Sequence, residues 1–294
     1  MNLYIFASMR LIKLLLVIFC CSSMMQPVSA QQVEIGLMLG GSNYSGDLSN
    51  EYFVAKETHF SGSLFGRYNI NKRWAVKGFM GYGQISGDDK NFGSYKNVIR
   101  NLNFTSDIYE FSVHGEYNFL KNNINSISAR PFLPYAFGGI GVFSFNPKTV
   151  YDGTTFELQP LGTEGQGTTS LNDFKKYDLT TLCIPLGLGF RQKIGDNFFL
   201  GVEGGIRFTA TNYLDDVGGV YADPNIVRAA YGDVAGVLSD RSIELTLSDG
   251  SHDFINKKGD ARSVRKYLDT DMYFMAGITL SYVIRSKGMA CPQF

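Results

Sequence analysis

The stretch "YEFSVHGEYNF" (Tyr109–Phe119) alternates between two kinds of side chain. Its large apolar residues and one glycine share one parity, and its polar and charged residues share the other. A strict period of two predicts a β-strand with one apolar and one polar face. Such a strand fits a soluble sandwich, whose apolar face is inside, and also a membrane barrel, whose apolar face is outside.

The first thirty residues have the pattern of a secretory signal peptide. Basic residues precede the apolar run Leu14–Cys21, and the small-residue cleavage pattern "VSA" follows at 28–30. That order is typical of a cleaved export signal, and the apolar run is too short for a membrane helix. We expect a signal peptide over residues 1–30 and a single exported domain over residues 31–294.

Composition narrows the class of the exported domain. The formal net charge is zero and no basic block is present, which argues against a nucleic-acid partner. Glycine is abundant at 33 residues and aromatics reach 14%, a composition typical of many strands with close backbone contacts. Only Cys183 and Cys291 follow the predicted cleavage site, too few for a disulfide framework.

Alternation of side-chain type predicts eight strands, each longer than the roughly 9–11 residues that a tilted strand needs to cross a bilayer. They are Val33–Tyr44, His59–Ile70, Trp74–Ser86, Ile108–Phe119, Phe132–Ser144, Leu179–Lys193, Phe198–Thr211 and Met272–Ile284. Within the fifth strand the apolar parity changes at Gly138-Gly139, which predicts a bulge there.

Short and long connections between these strands alternate along the chain. Short or moderate connections follow the second, fourth and sixth strands, at 71–73, 120–131 and 195–197, and the other connections are long. Outer-membrane barrels place tight turns in the periplasm and long loops outside. The sequence therefore predicts an eight-stranded antiparallel transmembrane barrel in the outer membrane, with periplasmic termini and extracellular long loops.

The polar parity of the strands carries a balanced set of charges. If the apolar parity faces lipid, four acidic and four basic residues and one histidine point into a barrel that eight strands leave just wide enough to be filled. Buried charges must be paired, so we predict an ion-pair plug, not an open pore. Its members are Glu34, Arg67, Lys77, Glu110, His114, Glu116, Arg191, Glu203 and Arg207.

The one candidate for nucleophilic catalysis lies in this set. His114 and Ser112 share the inward face of the fourth strand, flanked by Glu110 and Glu116. A hydrolase is one interpretation. We favour a packing histidine, because so narrow a barrel gives substrate no entry. No catalytic residue, cofactor or metal site is predicted, since no Cys/His cluster has ligand spacing and Asp215-Asp216 is typical of a solvated turn.

The final long loop has structure of its own. Asp223 is placed to cap a helix that begins at Pro224, and the alternation of Ile243, Leu245 and Leu247 before a turn predicts a hairpin. The loop fits a docking platform and a self-packed lid equally well. Near the end of the chain, Cys291 is left over in an oxidising compartment and is a candidate for an intermolecular disulfide.

Four stretches and the chain's ending resemble, in their order and spacing, segments of a known family. They are "EIGLMLGGSNYSGDLS" (Glu34–Ser49), "RYNINKRWAVK" (Arg67–Lys77), "PYAFGGIGVFSFNP" (Pro134–Pro147), "TNYLDDVGGVY" (Thr211–Tyr221) and the final "CPQF". The family is the PorG-type barrel subunit of the type IX secretion system of the Bacteroidota. The resemblance extends over the whole predicted mature chain, and no single motif in it is diagnostic.

The resemblance implies a non-enzymatic outer-membrane component of protein export and, in gliding species, of motility. Family members are associated with a periplasmic ring of the lipoprotein PorK/GldK and its partner PorN/GldN. The resemblance makes Cys291 a plausible attachment point to a ring subunit. The competing interpretation is a small surface barrel used for adhesion or small-solute binding, and a lipid-modifying barrel enzyme is a third.

Overall fold

The computed structural model describes residues 32–49, 51–92, 94–121, 132–168, 175–246, 252–263 and 270–284. The predicted signal peptide and Cys291 lie outside the described residues. Among the described residues, no helix has the length and apolarity needed to cross a bilayer.

Eight long strands form the molecule's framework, as the alternation predicted. They are β1 Gln32–Ser45, β2 His59–Asn69, β3 Trp74–Asp88, β4 Asn103–Asn118, β5 Leu133–Ser144, β8 Thr180–Lys193, β9 Phe198–Thr209 and β10 Met272–Ile284. Between β5 and β8 lies a short hairpin of β6 Pro147–Tyr151 and β7 Thr154–Glu157.

The eight strands close into an antiparallel barrel. Their order is β3-β2-β1-β10-β9-β8-β5-β4, and β4 pairs with β3 to complete the ring. The first and last strands meet in a continuous register that runs from Val33↔Ile284 to Ser45↔Met272. Closure gives every long strand two neighbours, so no long edge is left to pair with another chain. The predicted fold class is confirmed.

The connections sort by length onto the two ends of the barrel. The strand ends that the short connections join, at 70–73, 119–132 and 194–197, lie together at one end, which we call the turn end. In the first of these connections Asn71 Oδ1 accepts hydrogen bonds from the backbone N–H of Arg73 and Trp74 at 2.8 and 2.9 Å. These bonds stabilise a tight turn within the short connection. The long connections lie at the opposite end, the loop end.

Burial alternates along the strands and assigns each parity to a face. In β4 the large apolar residues of Tyr109–Val113 are exposed, while the polar residues between them are buried. The outward side chains are apolar around the barrel and include Ile140 at 73% and Leu188 at 64% exposure. The alternation in the sequence therefore places apolar groups outside and polar groups inside.

The predicted bulge at Gly138-Gly139 is wrong. Strand β5 keeps one register against β4 from Asn118↔Tyr135 to Tyr109↔Ser144. Leu133, Tyr135 and Phe137 point inward, where large rings fill the space between buried charges, and the outward parity holds small residues before Ile140. The backbone register does not change at this point. Before Gly138 the large side chains lie on the inner face, and from Ile140 onward the outer face carries large side chains as well.

The described parts of the long connections fold against one another at the loop end, and we call them the cap (46–49, 51–58, 89–92, 94–102, 145–168, 175–179, 210–246, 252–263 and 270–271). Its helices are Tyr95–Arg100, Pro224–Tyr231 and Asp233–Ser239, with 3-10 turns at Ala55–Glu57, Asp89–Asn91, Gln159–Leu161 and Arg241–Glu244. One hydrophobic cluster joins cap residues such as Leu214 and Leu238 to barrel residues such as Phe143 and Met275. The cap is therefore a self-packed lid over the loop end.

Two details of the cap differ from expectation. Asp223 caps the helix at Pro224 as predicted, with its side chain accepting from Asn225 N, but Gly232 at φ +94° ends that helix and starts a second. The segment predicted as a hairpin strand begins as a 3-10 turn at Arg241–Glu244, because Arg241 is held by Glu244 three residues later. Residues 247–251 lie outside the described ranges.

Candidate functional site: the lumen and the cap

All nine residues predicted to fill the barrel point into its lumen, where none is more than 3% exposed. They come from six of the eight long strands: Glu34 from β1, Arg67 from β2, Lys77 from β3, Glu110, His114 and Glu116 from β4, Arg191 from β8, and Glu203 and Arg207 from β9. Alternation places them there, because each strand turns every second side chain inward.

Six of these charges form one continuous chain of ion pairs. Glu34 lies between Arg191 and Arg67, at 2.8 and 2.7 Å. Arg67 also pairs with Glu116 through its Nε at 2.6 Å. Lys77 then links Glu116, at 3.3 Å, to Glu203, at 2.6 Å. Signs alternate along the chain, so each charge has an opposite neighbour and the large cost of taking it out of water is offset.

Neutral side chains add further contacts to these charges. Asn69 donates to Glu34 at 2.9 Å, and Tyr135 donates its hydroxyl to Glu203 at 2.6 Å. The Lys77 ammonium lies 4.8 Å from the centroid of the Phe137 ring, a cation–π contact. Tyr135 and Phe137 were not predicted as lumen residues, because their parity was assigned to the lipid side.

A second, smaller network lies nearer the loop end. Arg207 Nε donates to Glu110 Oε2 at 3.0 Å, and Tyr273 donates to the same oxygen at 3.2 Å. The other oxygen of Glu110 accepts from Ser112 Oγ at 2.6 Å. Ser112 Oγ is also 2.8 Å from His114 Nε2. The serine, histidine and carboxylate noted in the sequence are therefore in hydrogen-bond reach.

The environment of this constellation is that of a packed core. The His114 ring is stacked between Phe79 and Phe137, with centroid distances of 5.3 and 5.1 Å. Ser112, His114 and Glu110 are each at most 2% exposed, so no substrate contacts the Ser112 hydroxyl in this conformation. The carboxylate bonds the serine and not the free ring nitrogen, so it does not orient the histidine as a triad acid does.

The lumen is closed at both ends by apolar side chains. Leu133, Phe199 and Val283 are buried together at the turn end. At the loop end, the hydrophobic cluster shared with the cap covers the opening. The arrangement is that of a filled barrel, in keeping with the narrow interior that eight strands enclose.

Buried arginines tie the cap segments together. Arg100 forms a two-point ion pair with Asp89 at 2.6 and 2.8 Å, and it donates to the backbone oxygens of Asp47 and Arg262. Arg262 donates to Thr163 Oγ1 at 2.9 Å and lies 3.5 Å from Glu164. These two side chains connect segments of all four long loops. The roles of Arg100 and Arg262 were not predicted from the sequence, because loop residues show no periodicity.

Three cap carboxylates, of Asp47, Asp215 and Asp271, lie within 4.8 Å of one another and are buried. The protein's own donors contact them: Asp215 accepts from Tyr44 and from the backbone N–H of Leu48 and Val217. Burial raises the pKa of Asp215 to about 8, and the charge of Asp47 adds to the effect. The prediction that this segment is a solvated turn is wrong, since Asp215 and Asp216 are both buried.

The buried carboxyl of Glu164, also in the cap, has a shifted pKa as well. Burial raises the pKa of Glu164 to about 7, in spite of the neighbouring guanidinium of Arg262. Its Oε1 accepts hydrogen bonds from the backbone N–H of Gly218 and Gly219, at 3.1 and 3.2 Å. The cap therefore contains carboxyls whose protonation is linked to its packing.

Comparison with known proteins adds a family and several fold relatives. Residues 11–235 match the model of the family described as domain of unknown function DUF6089. No curated protein sequence matches the chain.

Among solved structures, similar chains include Ail, the attachment invasion locus protein of Yersinia pestis (10% identity, 86% of this chain and 99% of that chain, TM-score 0.38). Another is the N-terminal β-barrel domain of Pseudomonas aeruginosa OprF (10%, 87% and 100%, TM-score 0.33). A third is Neisserial surface protein A (9%, 87% and 97%, TM-score 0.37). The fold assignment here rests on the chain's own strand pairings.

Proposed function

This chain belongs to the DUF6089 family, and we propose that it is a non-enzymatic outer-membrane barrel that serves as a structural anchor. Its turn end faces the periplasm and its cap lies outside the cell. Side chains fill its lumen, which does not serve as a channel for solutes.

The observation that carries the membrane location is the outward face of the barrel. Apolar side chains cover it on every long strand, and the nine lumen residues, eight of them charged, are buried inside. A soluble monomer rarely exposes an apolar patch larger than a few hundred Å². A surface of this kind is stable where acyl chains surround it, and closure of the barrel satisfies the backbone hydrogen bonds that lipid cannot.

The single tryptophan of the chain provides a direct test of this location. Trp74 is half exposed at the start of β3, beside the turn Asn71–Arg73. In vesicles, lipids brominated near the glycerol backbone should quench its fluorescence more strongly than lipids brominated at the chain ends, because aromatic rings at strand ends lie at the interface. Equal, weak quenching by both lipids would contradict membrane insertion.

The finer part of the proposal concerns the partner. We infer that the barrel anchors a periplasmic ring of the PorK/GldK and PorN/GldN type beneath the outer membrane, as part of type IX secretion. What supports this is the resemblance of four stretches and the chain's ending to the PorG-type subunit. Two of those stretches supply charges of the ion-pair chain, Glu34, Arg67 and Lys77, and a third supplies Tyr135, which donates to Glu203 of the chain.

The partner proposal is tested at Cys291. On non-reducing gels of whole membranes, the chain should run as an adduct with a lipoprotein, and Cys291→Ser should abolish the adduct. Cys183→Ser is the matched control, because that thiol is buried in the lumen and has no access to a partner. Mass spectrometry of the co-purified material identifies the partner. A solitary barrel recovered under gentle detergent would contradict the anchor.

A surface barrel for adhesion or small-solute binding is the second candidate. It is favoured by the large aromatic side chains that the cap exposes, among them Tyr52, Phe53 and Tyr95. For this candidate, replacing Tyr52 and Tyr95 by serine lowers binding to host cells or solutes and leaves secretion intact. If the barrel is an anchor, a strain that lacks the whole gene loses secretion, whereas a surface barrel for binding leaves secretion intact in that strain.

A further inference from the structure

A groove on the outward face of the barrel has two glycines as its floor. Gly66 on β2 and Gly78 on β3 are register partners whose missing side chains would point outward. A methyl group placed on Gly66 would meet no atom within 4 Å, and one placed on Gly78 would meet only the backbone oxygen of Gly66, at 4.0 Å. Open space therefore replaces two adjacent outward side chains at this point of the surface.

Apolar side chains from neighbouring strands form the walls of this groove, which has a volume of about 620 Å³. That volume is within the range of roughly 300–1,000 Å³ typical of small-ligand sites. Leu64, Met80 and Phe111 are all more than half exposed and rise around the floor. The walls include Ile35, Leu37, Leu64, Met80, Phe111 and Leu280.

We propose that the Gly66–Gly78 groove binds one acyl chain of a phospholipid whose phosphate lies at Lys72. The inference rests on the proposed membrane location, since it requires the outward face to meet lipid. The groove's hydrocarbon walls match an acyl chain. Lys72 is exposed on the β2–β3 turn directly beyond the groove's two strands.

The distances along the strand fit this occupant. Strand β2 continues from Gly66 to Asn69, roughly 10 Å of extended strand, and the turn at 70–73 carries Lys72 farther toward the same end. For a strand tilted by about 40°, the floor of the groove therefore lies within one leaflet of the hydrocarbon core, roughly 15 Å thick, of a headgroup held at the turn. A chain whose headgroup is held at the turn would therefore end in the groove.

Charge favours a phospholipid over a second copy of this protein. Lys72 and Arg73 are adjacent cations on the turn below the groove. They attract a phosphate, whereas two copies joined through the grooves would bring these like charges together. A lipid chain also adapts to an open groove, while a second barrel must offer a matching projection.

The experiment measures phospholipid that stays bound to the purified full-length barrel. The protein is exchanged into a non-lipid detergent after reconstitution with phosphatidylethanolamine and phosphatidylglycerol, and native mass spectrometry counts the lipid retained. Gly66→Leu and Gly78→Leu fill the groove, and we expect each to reduce retention about tenfold. Gly115→Leu is the matched control, at an exposed outward glycine of β4 that does not line the groove and where an added Cβ meets only an ordinary contact at 3.8 Å.

The headgroup is tested separately. Lys72→Glu should lower retention of phosphatidylglycerol several-fold, and Lys193→Glu, near the β8–β9 turn, should not. Equal retention in wild type and both filled variants overturns the proposal, and so does a cross-linked dimer that disappears in Gly66→Leu. Quenching of Trp74 by brominated lipid, measured on the same samples, separates the cases: if it fails in the wild type, the membrane location is wrong.

Discussion

Lys77 on β3 and Glu203 on β9 form a 2.6 Å ion pair across the lumen, although 126 residues separate them in the sequence. The pair ends a chain that begins at Arg191 and passes through Glu34, Arg67 and Glu116. Because the chain crosses the interior, it links strands that share no backbone hydrogen bonds. The barrel's cross-section is thus held by side chains as well as by the sheet.

The first prediction concerns that pair. Lys77→Met leaves Glu203 buried without its opposite charge, and breaking a buried pair in this way typically costs about 3–5 kcal/mol. We expect a loss of that size in the free energy of unfolding by urea in lipid vesicles. The double variant Lys77→Met/Glu203→Gln removes both charges and should recover most of the loss. Lys96→Met, at an exposed position of the cap, serves as the control.

The second prediction is that the barrel does not conduct. The ion-pair chain fills the lumen, and the cluster of Leu133, Phe199 and Val283 closes the turn end. In planar bilayers the purified protein should give no steps of uniform conductance, measured beside an open porin under the same conditions. Reproducible single-channel openings of the wild type would show that the lumen empties.

The third prediction separates the cap from the barrel. Arg262→Met removes a buried guanidinium that contacts Thr163, Asp216 and Glu164. We expect faster proteolytic cleavage within residues 210–271, while the heat-dependent shift in gel mobility that reports the closed barrel stays unchanged. Arg228→Met is the control, because its partner Asp233 is almost fully exposed and such pairs contribute about 0–1 kcal/mol.

The fourth prediction is a pH dependence of cap stability. Folded-state pKa values of about 7 for Glu164 and about 8 for Asp215 are above the ordinary values of roughly 4. The folded cap therefore binds more protons than the unfolded cap, and its stability falls as pH rises from about 4 to about 8. The slope is at most about 1.4 kcal/mol per pH unit for each group.

Limited proteolysis of the cap across this range provides the measurement. Glu164→Gln keeps the acceptor for Gly218 and Gly219 and removes the ionisation, so it should flatten part of the pH dependence. Glu51→Gln, at an exposed site, should not change it. Cleavage that slows as pH rises would contradict the sign of this linkage.

The fifth prediction addresses the serine and histidine in the lumen. His114→Ala removes a ring stacked between Phe79 and Phe137, and the resulting cavity should destabilise the barrel by roughly 2–4 kcal/mol. Ser112→Ala should leave secretion or binding in cells unchanged. An enzyme acting through Ser112 would lose its activity in that variant while remaining folded, which a heat-modifiability gel can establish.

The barrel could be predicted from the sequence because the same period of two marks the residues that form strands and the side chains that are buried. Strand β10 has the predicted bounds, Met272–Ile284, and most other strand ends differ from the prediction by one or two residues. The exception is β4, which begins at Asn103 and not at Ile108, since Asn103–Asp107 pairs with β3 beyond the apolar belt. Polar residues there conceal the strand from a search for apolar alternation.

The cap did not follow from the sequence, for an equally physical reason. Arg262 and Glu164 are far apart in the chain, and no spacing rule connects a loop arginine to a loop carboxylate. Asp215 and Asp216 have the composition of a solvated turn, and only the folded loops show that they are buried. Tyr135 and Phe137 were misassigned because large rings fill the lumen side of β5.

The seam between β1 and β10 joins the two extremes of the folded domain, from Val33↔Ile284 to Ser45↔Met272. A nascent or truncated chain that lacks the last thirteen-residue strand leaves both β1 and β9 with unpaired edges. Such edges recruit other strands and aggregate. Assembly in the cell must therefore protect the unpaired edges of an open sheet until β10 pairs with β1 and β9. Quality control can recognise a defective copy by these unpaired edges alone.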